Sequence, residues 1–428
     1  MKKILIIGGG LSGLTSAVYL SKLNYNVTLL EASPKYGGRT YSILNKTKKE
    51  YYDNGQHLLM GCYEDTLNLL KIIDAENLIE IQPYLDLTYI DQNSIHHKLT
   101  ADKLNYPFNL LRAILKFSGL SFKERLMIID FLLDMLCCFK EDLSNITVYE
   151  WLKSKGQSQN AINTFWDLLA VSTLNTKITE ASASVFYEVL NRIFFGGNDA
   201  SKIIFPKTDL TKLFVDPALK FLKSKNCITK HSEKVTQVNF ENEFVKSIVT
   251  ENNNYSDYDF YIFAIPLHSL QKIKNIESEF PVSHQIEYSP IVNAHIWLNE
   301  NPFRDRIYGL FGSELHWIFN NKGFISITSS ASDKWSILDK EIIIQEICSE
   351  IKKYFPIFNK EMVEDWVIIK EKRATFKADS NFSYLRKDFV TRRNNLLFTG
   401  DWVDNGLPAT IEGAIINGKK AAKAVADA

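Results

Sequence analysis

Three short stretches carry residue types whose spacing could do chemistry. The first is Gly8-x-Gly10-x-x-Gly13, with Glu31 further on. Gly8 permits a tight turn, Gly10 lets the backbone approach a pyrophosphate, and Gly13 lets a helix lie close to a sheet. Leu11 and Ser12 open that helix, whose N-terminal N–H groups and partial positive charge suit phosphates. Glu31 is spaced to accept hydrogen bonds from a ribose. The second stretch is Asp53-Asn54-Gly55-Gln56-His57. It puts a titratable imidazole on a polar turn, either as a ring contact or proton donor or as a histidine satisfied by the turn's own backbone. The third is Gly400-Asp401, then Gly406-Leu407-Pro408-Ala409-Thr410-Ile411-Glu412-Gly413. A glycine-acid pair, a turn and a helix start make another anion-receptive arrangement.

The elements around these residues supply the context they require. Ile4 to Ile7 is a short apolar run that reads as a buried parallel strand. Leu14, Ala17, Val18, Leu20 and Leu23 recur at helical spacing, and Val27 to Leu30 is a second strand. Strand, glycine turn, helix, strand and acid together form a dinucleotide-binding fingerprint. A secretory signal is the other reading of this start; the apolar run is too short, and no small-residue cleavage site follows.

The 428 residues are 45% hydrophobic, which is ample for a core and predicts two domains. Lysines and arginines balance the acids, so nothing points to nucleic acid. The five cysteines are scattered without a CxxC pair, which predicts neither a disulfide framework nor a metal site and fits a cytoplasmic setting. No apolar run reaches the roughly 18 residues of a spanning helix.

Between residues 81 and 205 helical spacing dominates. Helices are expected over 106–117, 122–139, 147–155, 160–171 and 181–195, and then over 209–223. The 126–139 stretch is apolar nearly all round apart from Asp130 and Asp134, which share one face. It reads as a core helix or, together with Arg112, Lys116, Lys123 and Arg125, as a surface lying on lipid. Strands return at 234–240, 244–249 and 258–264. Alternating segments at 291–298, 306–311, 315–319 and 324–328 then predict an antiparallel sheet walling a cavity. A helix over 341–354 and strands over 366–372 and 396–399 precede the final helix. There the small residues Gly418, Ala421 and Ala424 permit close packing.

Glu31-Ala32-Ser33-Pro34 leading into Gly37-Gly38-Arg39-Thr40 resembles the superfamily of flavin amine oxidases and carotenoid desaturases. The resemblance implies FAD rather than NAD. It also implies the site: Gly38 and Arg39 at the diphosphate, Ala32 beside Glu31, and the backbone at Val235 against the adenine. Gln56 and His57 return toward the flavin, Gly400 and Asp401 lie at the ribityl–phosphate region, and Thr410 and Ile411 point at the flavin pyrimidine. The implied fold is α/β. A Rossmann-like FAD-binding domain is assembled from 1–80, 206–270 and 385–428, and a second α+β substrate domain, partly helical with an antiparallel sheet, from 81–205 and 271–384. Residues 288–303 hold no lysine, and Thr410 stands where amine oxidases commonly place a cage aromatic, which counts against amine oxidation.

Four stretches are similar to the hydroxysqualene dehydroxylases of hopanoid biosynthesis: DNGQHLLMGCYEDTLNLL (53–70), LNTKITEASASVF (174–186), DLTKLFVDPALKFL (209–222) and TGDWVDNGLPATIEGA (399–414). The reaction this implies is reductive removal of an allylic hydroxyl, with His57 as the first candidate for the acid. A polyisoprene desaturase or isomerase is the alternative, and a non-catalytic lipid carrier is a third reading. A C30 isoprenoid substrate implies peripheral contact with the inner face of the cell membrane. The family likeness adds handover from a prenyl-condensing synthase.

Overall fold

The computed structural model describes residues 2–137, 140–276, 279, 286–386 and 393–428. Cys138 and Phe139, at the end of the expected 122–139 helix, lie outside the described residues.

A five-stranded parallel sheet holds the two ends and the middle of the chain together. Its order is Ile228–Lys230, Asn26–Leu30, Lys3–Ile7, Phe260–Phe263 and Leu396–Phe398. Lys3–Ile7 is central, and its four apolar residues are buried, as a strand covered on both faces requires. The helix Leu11–Lys22 packs against the last helix, Ile411–Asp427. At their crossing a Cβ on Gly418 would lie 2.4 Å from the Ser12 carbonyl oxygen. Ser16 Oγ donates to the Gly418 carbonyl at 2.9 Å across the same contact. Ala421 and Ala422 share this buried face, whereas Ala424 is exposed. The small-residue pattern is therefore right at Gly418 and Ala421 and wrong at Ala424, where the helix has turned toward solvent.

The second large sheet has seven strands in the order Val363–Phe376, Tyr288–Leu298, Phe324–Ser329, Trp317–Asn320, Ile307–Leu310, Asp86–Ile90 and His96–Thr100. All pairs are antiparallel except Ile307–Leu310 with Asp86–Ile90. Two of these strands fall where helical spacing was expected to prevail. Each is five residues long, too short for alternation to stand out, and Asp86–Ile90 is buried on both faces. Val235–Glu241, Phe244–Thr250 and Asn254–Ser256 form a separate three-stranded sheet.

Helices fill most of 108–195. Trp151, Trp166, Phe131 and Phe186 are fully buried among them, with ring pairs such as Phe131–Trp151 at 4.7 Å. The expected 160–171 helix runs from Gln159 to Leu174 with a π-helical turn at Ile162–Trp166. A second π-turn, Thr211–Val215, precedes Asp216–Ser224. Among the described residues no helix is long and apolar enough to cross a membrane.

Candidate functional site

A cavity of about 1130 Å³ lies between the carboxyl ends of the parallel strands and one face of the seven-stranded sheet. It exceeds the roughly 300–1,000 Å³ usual for one small ligand, so it has room for two partners. The position outside the strand carboxyl ends is where open α/β sheets bind nucleotides.

The glycine turn is fixed by sterics. Gly8 has φ +109°, and a Cβ there would lie 2.5 Å from the Ala264 carbonyl oxygen. A Cβ on Gly13 would lie 1.9 Å from the Gly8 carbonyl oxygen, so the helix is pressed onto the turn. Above Gly10 the nearest atom to such a Cβ is Gly38 Cα, at 3.9 Å, which leaves its backbone open to the cavity. No side chain caps the Leu11–Lys22 helix at Gly10, so its first N–H groups face the cavity. Of the sixteen residues expected to bind or act, fifteen line this cavity: Gly8, Gly10, Leu11, Ser12, Glu31, Ala32, Gly38, Arg39, Gln56, His57, Val235, Gly400, Asp401, Thr410 and Ile411. Gly13 stands behind the wall.

Backbone donors hold Glu31 in place. Gly9 N donates to Oε2 and Ser33 N to Oε1, each at 2.7 Å, and the carboxylate keeps lone pairs toward the cavity. Arg39 Nη2 lies 2.7 Å from Asp401 Oδ1, and its Nη1 donates to the Ala374 carbonyl at 2.9 Å. The Asp401 carboxylate raises the Arg39 pKa above its ordinary value. Ser12 Oγ and Thr399 Oγ1 are 2.7 Å apart, a second link between the first and last motifs.

His57 shows both features of its two readings. Its Nδ1 donates to the Gly55 carbonyl at 2.8 Å, because a carbonyl only accepts; in the neutral ring Nε2 therefore carries the lone pair. Burial lowers its pKa, and the Gly55 carbonyl and Glu371 pull it back upward. Its surroundings are polar. Asn321 Nδ2 donates to Gln56 Oε1 at 3.1 Å, Asn293 Nδ2 to the Asn54 carbonyl at 3.2 Å, and Thr328 Oγ1 to Asn293 Oδ1 at 2.9 Å. A Cβ on Gly55 would meet the Asn293 amide at 2.6 Å, so the glycine admits that amide. Part of the wall away from this patch is apolar, with Leu87, Tyr89, Leu99, Phe165, Trp317 and Phe319.

Sequence reasoning missed the residues that shape the last motif. Arg386 is buried, and its guanidinium donates to the carbonyls of Asp401, Trp402, Val403 and Leu407. Burial pushes its pKa down to about 10, against the upward pull of Asp404 and Asp401. Asn417 Nδ2 donates to the Gly400 carbonyl at 2.7 Å and the Val403 carbonyl at 2.8 Å. Glu412 accepts from Asp65 N, Thr66 N and Thr66 Oγ1, which ties the final helix to Glu64–Ile72. Glu412 sits inside a quoted motif and Asn417 just past it, so a signal was near; Arg386 had none. A further unforeseen group is Asp53, whose carboxyl burial pushes up to about 6 despite hydrogen bonds from Leu210 N and Ser42 Oγ.

An uncapped helix end above an open glycine backbone, beside a guanidinium and an oriented carboxylate, suits the diphosphate and ribose of a dinucleotide. Comparison with known proteins agrees. The family model for flavin containing amine oxidoreductases matches residues 11–426. The hydroxysqualene dehydroxylase of Zymomonas mobilis is 30% identical over 97% of both chains, and that of Sinorhizobium fredii is 25% identical over 98% of this chain and 97% of its own. A 15-cis-phytoene desaturase of Arabidopsis thaliana is 21% identical over 97% of this chain and 78% of its own. Among solved structures, an oxidoreductase from Methanosarcina mazei superposes with TM-score 0.76 at 15% identity, covering 98% of this chain and all of that one. Wild-type putrescine oxidase bound to putrescine gives 0.73 at 12% identity, covering 100% and 99%. The chain thus belongs to the flavin containing amine oxidoreductase family, on the branch of the hydroxysqualene dehydroxylases, and is an FAD-dependent oxidoreductase.

Proposed function

We propose that the protein removes the allylic hydroxyl of hydroxysqualene reductively, giving squalene. The observation that carries this reading is one cavity that joins a dinucleotide cradle to an apolar wall interrupted by a polar patch at His57, Gln56 and Asn293. Near full-length similarity to hydroxysqualene dehydroxylases supports it.

In this reading Gly8, Gly10, Leu11, Ser12, Gly38 and Arg39 hold the FAD diphosphate. Glu31, with Ala32 beside it, takes the adenosine ribose, and the backbone at Val235 takes the adenine. Gly400 and Asp401 face the ribityl chain, and Thr410 and Ile411 bring a helix N-terminus to the pyrimidine. Residues 1–80, 206–270 and 385–428 form the FAD unit, and 81–205 with 271–384 form the substrate unit. FAD, when bound and reduced, supplies the hydride.

The protein's own part is proton delivery and the exclusion of water. The His57 imidazolium, protonated from solvent, donates its Nε2 proton to the substrate hydroxyl and is left as the neutral ring. The carbon–oxygen bond breaks, water leaves, and the allylic carbon takes the hydride. The apolar wall keeps water from recapturing the cation. In this reading the enzyme is a cytoplasmic protein peripheral to the inner face of the membrane, where an apolar substrate resides, and it receives that substrate from a prenyl-condensing synthase. The test is product analysis: chemically reduced enzyme given hydroxysqualene in detergent should yield squalene by gas chromatography and mass spectrometry. Unchanged substrate would refute the reading.

A further inference from the structure

Two neighbouring helices each bury one side and leave an apolar side uncovered. Phe108–Lys116 buries Leu110, Ala113 and Ile114, and Phe122–Asp134 buries Ile128, Phe131 and Leu132. The outward sides carry Phe108 and Leu111 on the first helix and Phe122, Leu126 and Leu133 on the second, with Leu136 just beyond. These six are 36% to 63% exposed. Positions 122, 126 and 133 fall on one side at helical spacing, with half-buried Ile129 between them. A cluster of large apolar side chains of this kind marks an interaction surface. The helix that reads as apolar all round is thus a core helix on one side and a surface helix on the other.

Charge selects the occupant. Lys103, Lys116 and Lys123 border the cluster, are exposed, and take part in no ion pair among the described residues. The nearby acids are mostly engaged. Asp102 pairs with Arg112 at 2.5 Å, Asp134 pairs with Lys155 at 3.0 Å, and Glu124 caps its own helix at Ser121 and accepts from Ser158. Asp130 is an exposed acid with no such partner among the described residues. Arg125 donates to the carbonyls of Leu115 and Leu120, which fixes the angle between the two helices. An apolar stripe with a cationic border is the signature of an interfacial helix on anionic lipid.

Ion pairs link the chain just past this face to the cavity wall. Just past Leu136 the chain reaches Lys140, whose Nζ lies 3.5 Å from Glu188 Oε2. Glu188 Oε1 accepts from Arg192 Nε at 2.9 Å, and Arg192 lines the cavity with Val189 and Ile193. We infer that the outward faces of Phe108–Lys116 and Phe122–Asp134 dock on an anionic bilayer, from which the hydrocarbon substrate passes into the cavity. This deepens, and rests on, the proposal of an isoprenoid substrate.

The experiment is flotation of the holoenzyme with vesicles of phosphatidylcholine alone and of phosphatidylcholine with phosphatidylglycerol; neither arm needs substrate. The wild type should float with the anionic vesicles and more weakly with the neutral ones. Phe108→Glu, Phe122→Glu, Leu126→Glu and Leu133→Glu combined should cut that binding by more than about tenfold, because each apolar insertion is lost. The variant should keep its flavin spectrum and its turnover of detergent-dispersed substrate. Wild type that floats with neither vesicle, or a variant that floats like wild type, overturns the proposal. So does a wild-type dimer that the same substitutions dissociate, which would make this face a subunit interface. Vesicle binding without turnover would leave docking intact and refute the substrate reading instead.

Discussion

Arg39 and Asp401 meet at 2.7 Å in the cavity wall, one from the Gly-Gly-Arg loop and the other from the end of the last strand. Asp401 is nearly inaccessible, whereas Arg39 is 44% exposed along its side chain. The pair therefore joins the two halves of the cofactor cradle. A charge-assisted bond of this kind contributes about 1.5–3 kcal/mol. Asp401→Asn should weaken FAD retention by roughly tenfold to a hundredfold, read as flavin absorbance against protein after dialysis. Full retention would show that the pair is incidental.

The glycines should separate by function. Gly13→Ala forces a side chain to 1.9 Å from a carbonyl oxygen and should lower the melting temperature even without FAD. Gly10→Ala meets nothing closer than 3.9 Å within the protein. It should fold normally and bind FAD more weakly, because the added methyl takes the space a diphosphate needs. Calorimetry of the apoprotein together with flavin titration separates the two effects. Equal melting losses would contradict the assignment.

His57 predicts the pH dependence of turnover. Burial holds its pKa below the ordinary histidine value of 6.5, so the ring is mostly neutral at pH 7. If the imidazolium is the acid, turnover rises as pH falls below that value and declines as pH rises. His57→Ala should keep the flavin spectrum and lose most of the turnover, on the order of 10²–10⁴-fold for a general acid. A variant with an unchanged pH profile would remove His57 from the mechanism.

Asp53 predicts the pH dependence of stability. Its folded pKa of about 6 lies above its unfolded value of about 4. Between these values the folded chain holds a proton that the unfolded chain has released. Proton binding on folding means that stability falls as pH rises through this window, then levels off. Asp53→Asn should flatten that slope in melting curves recorded from pH ~4 to ~7. An unchanged slope would place the titration elsewhere.

The glycine turn was legible because Gly8 and Gly13 answer to local sterics that only spacing must satisfy. Glu31, Arg39 and Asp401 were legible through motif resemblance, but their contacts were not: Arg39 and Asp401 find each other only once the parallel sheet has drawn both ends of the chain together. Arg386 left no local pattern, since its partners are backbone carbonyls whose positions depend on the loop it pins. The strands Asp86–Ile90 and His96–Thr100 were hidden because five residues carry little periodicity, and because Asp86–Ile90, to which His96–Thr100 pairs, joins the sheet only through a long-range pairing with Ile307–Leu310. Asp53 read as a turn residue. It ends a strand instead, and its burial comes from the chain around Leu210.

The direction of the reaction is the most exposed claim. Holoenzyme reduced anaerobically should be mixed with one equivalent of hydroxysqualene, while flavin absorbance is followed and the lipids are extracted. Reoxidation of one flavin for each squalene formed is the expected result. Flavin that stays reduced with hydroxysqualene unchanged would contradict reductive dehydroxylation. Oxidised enzyme offered a polyisoprene would then test the desaturase alternative.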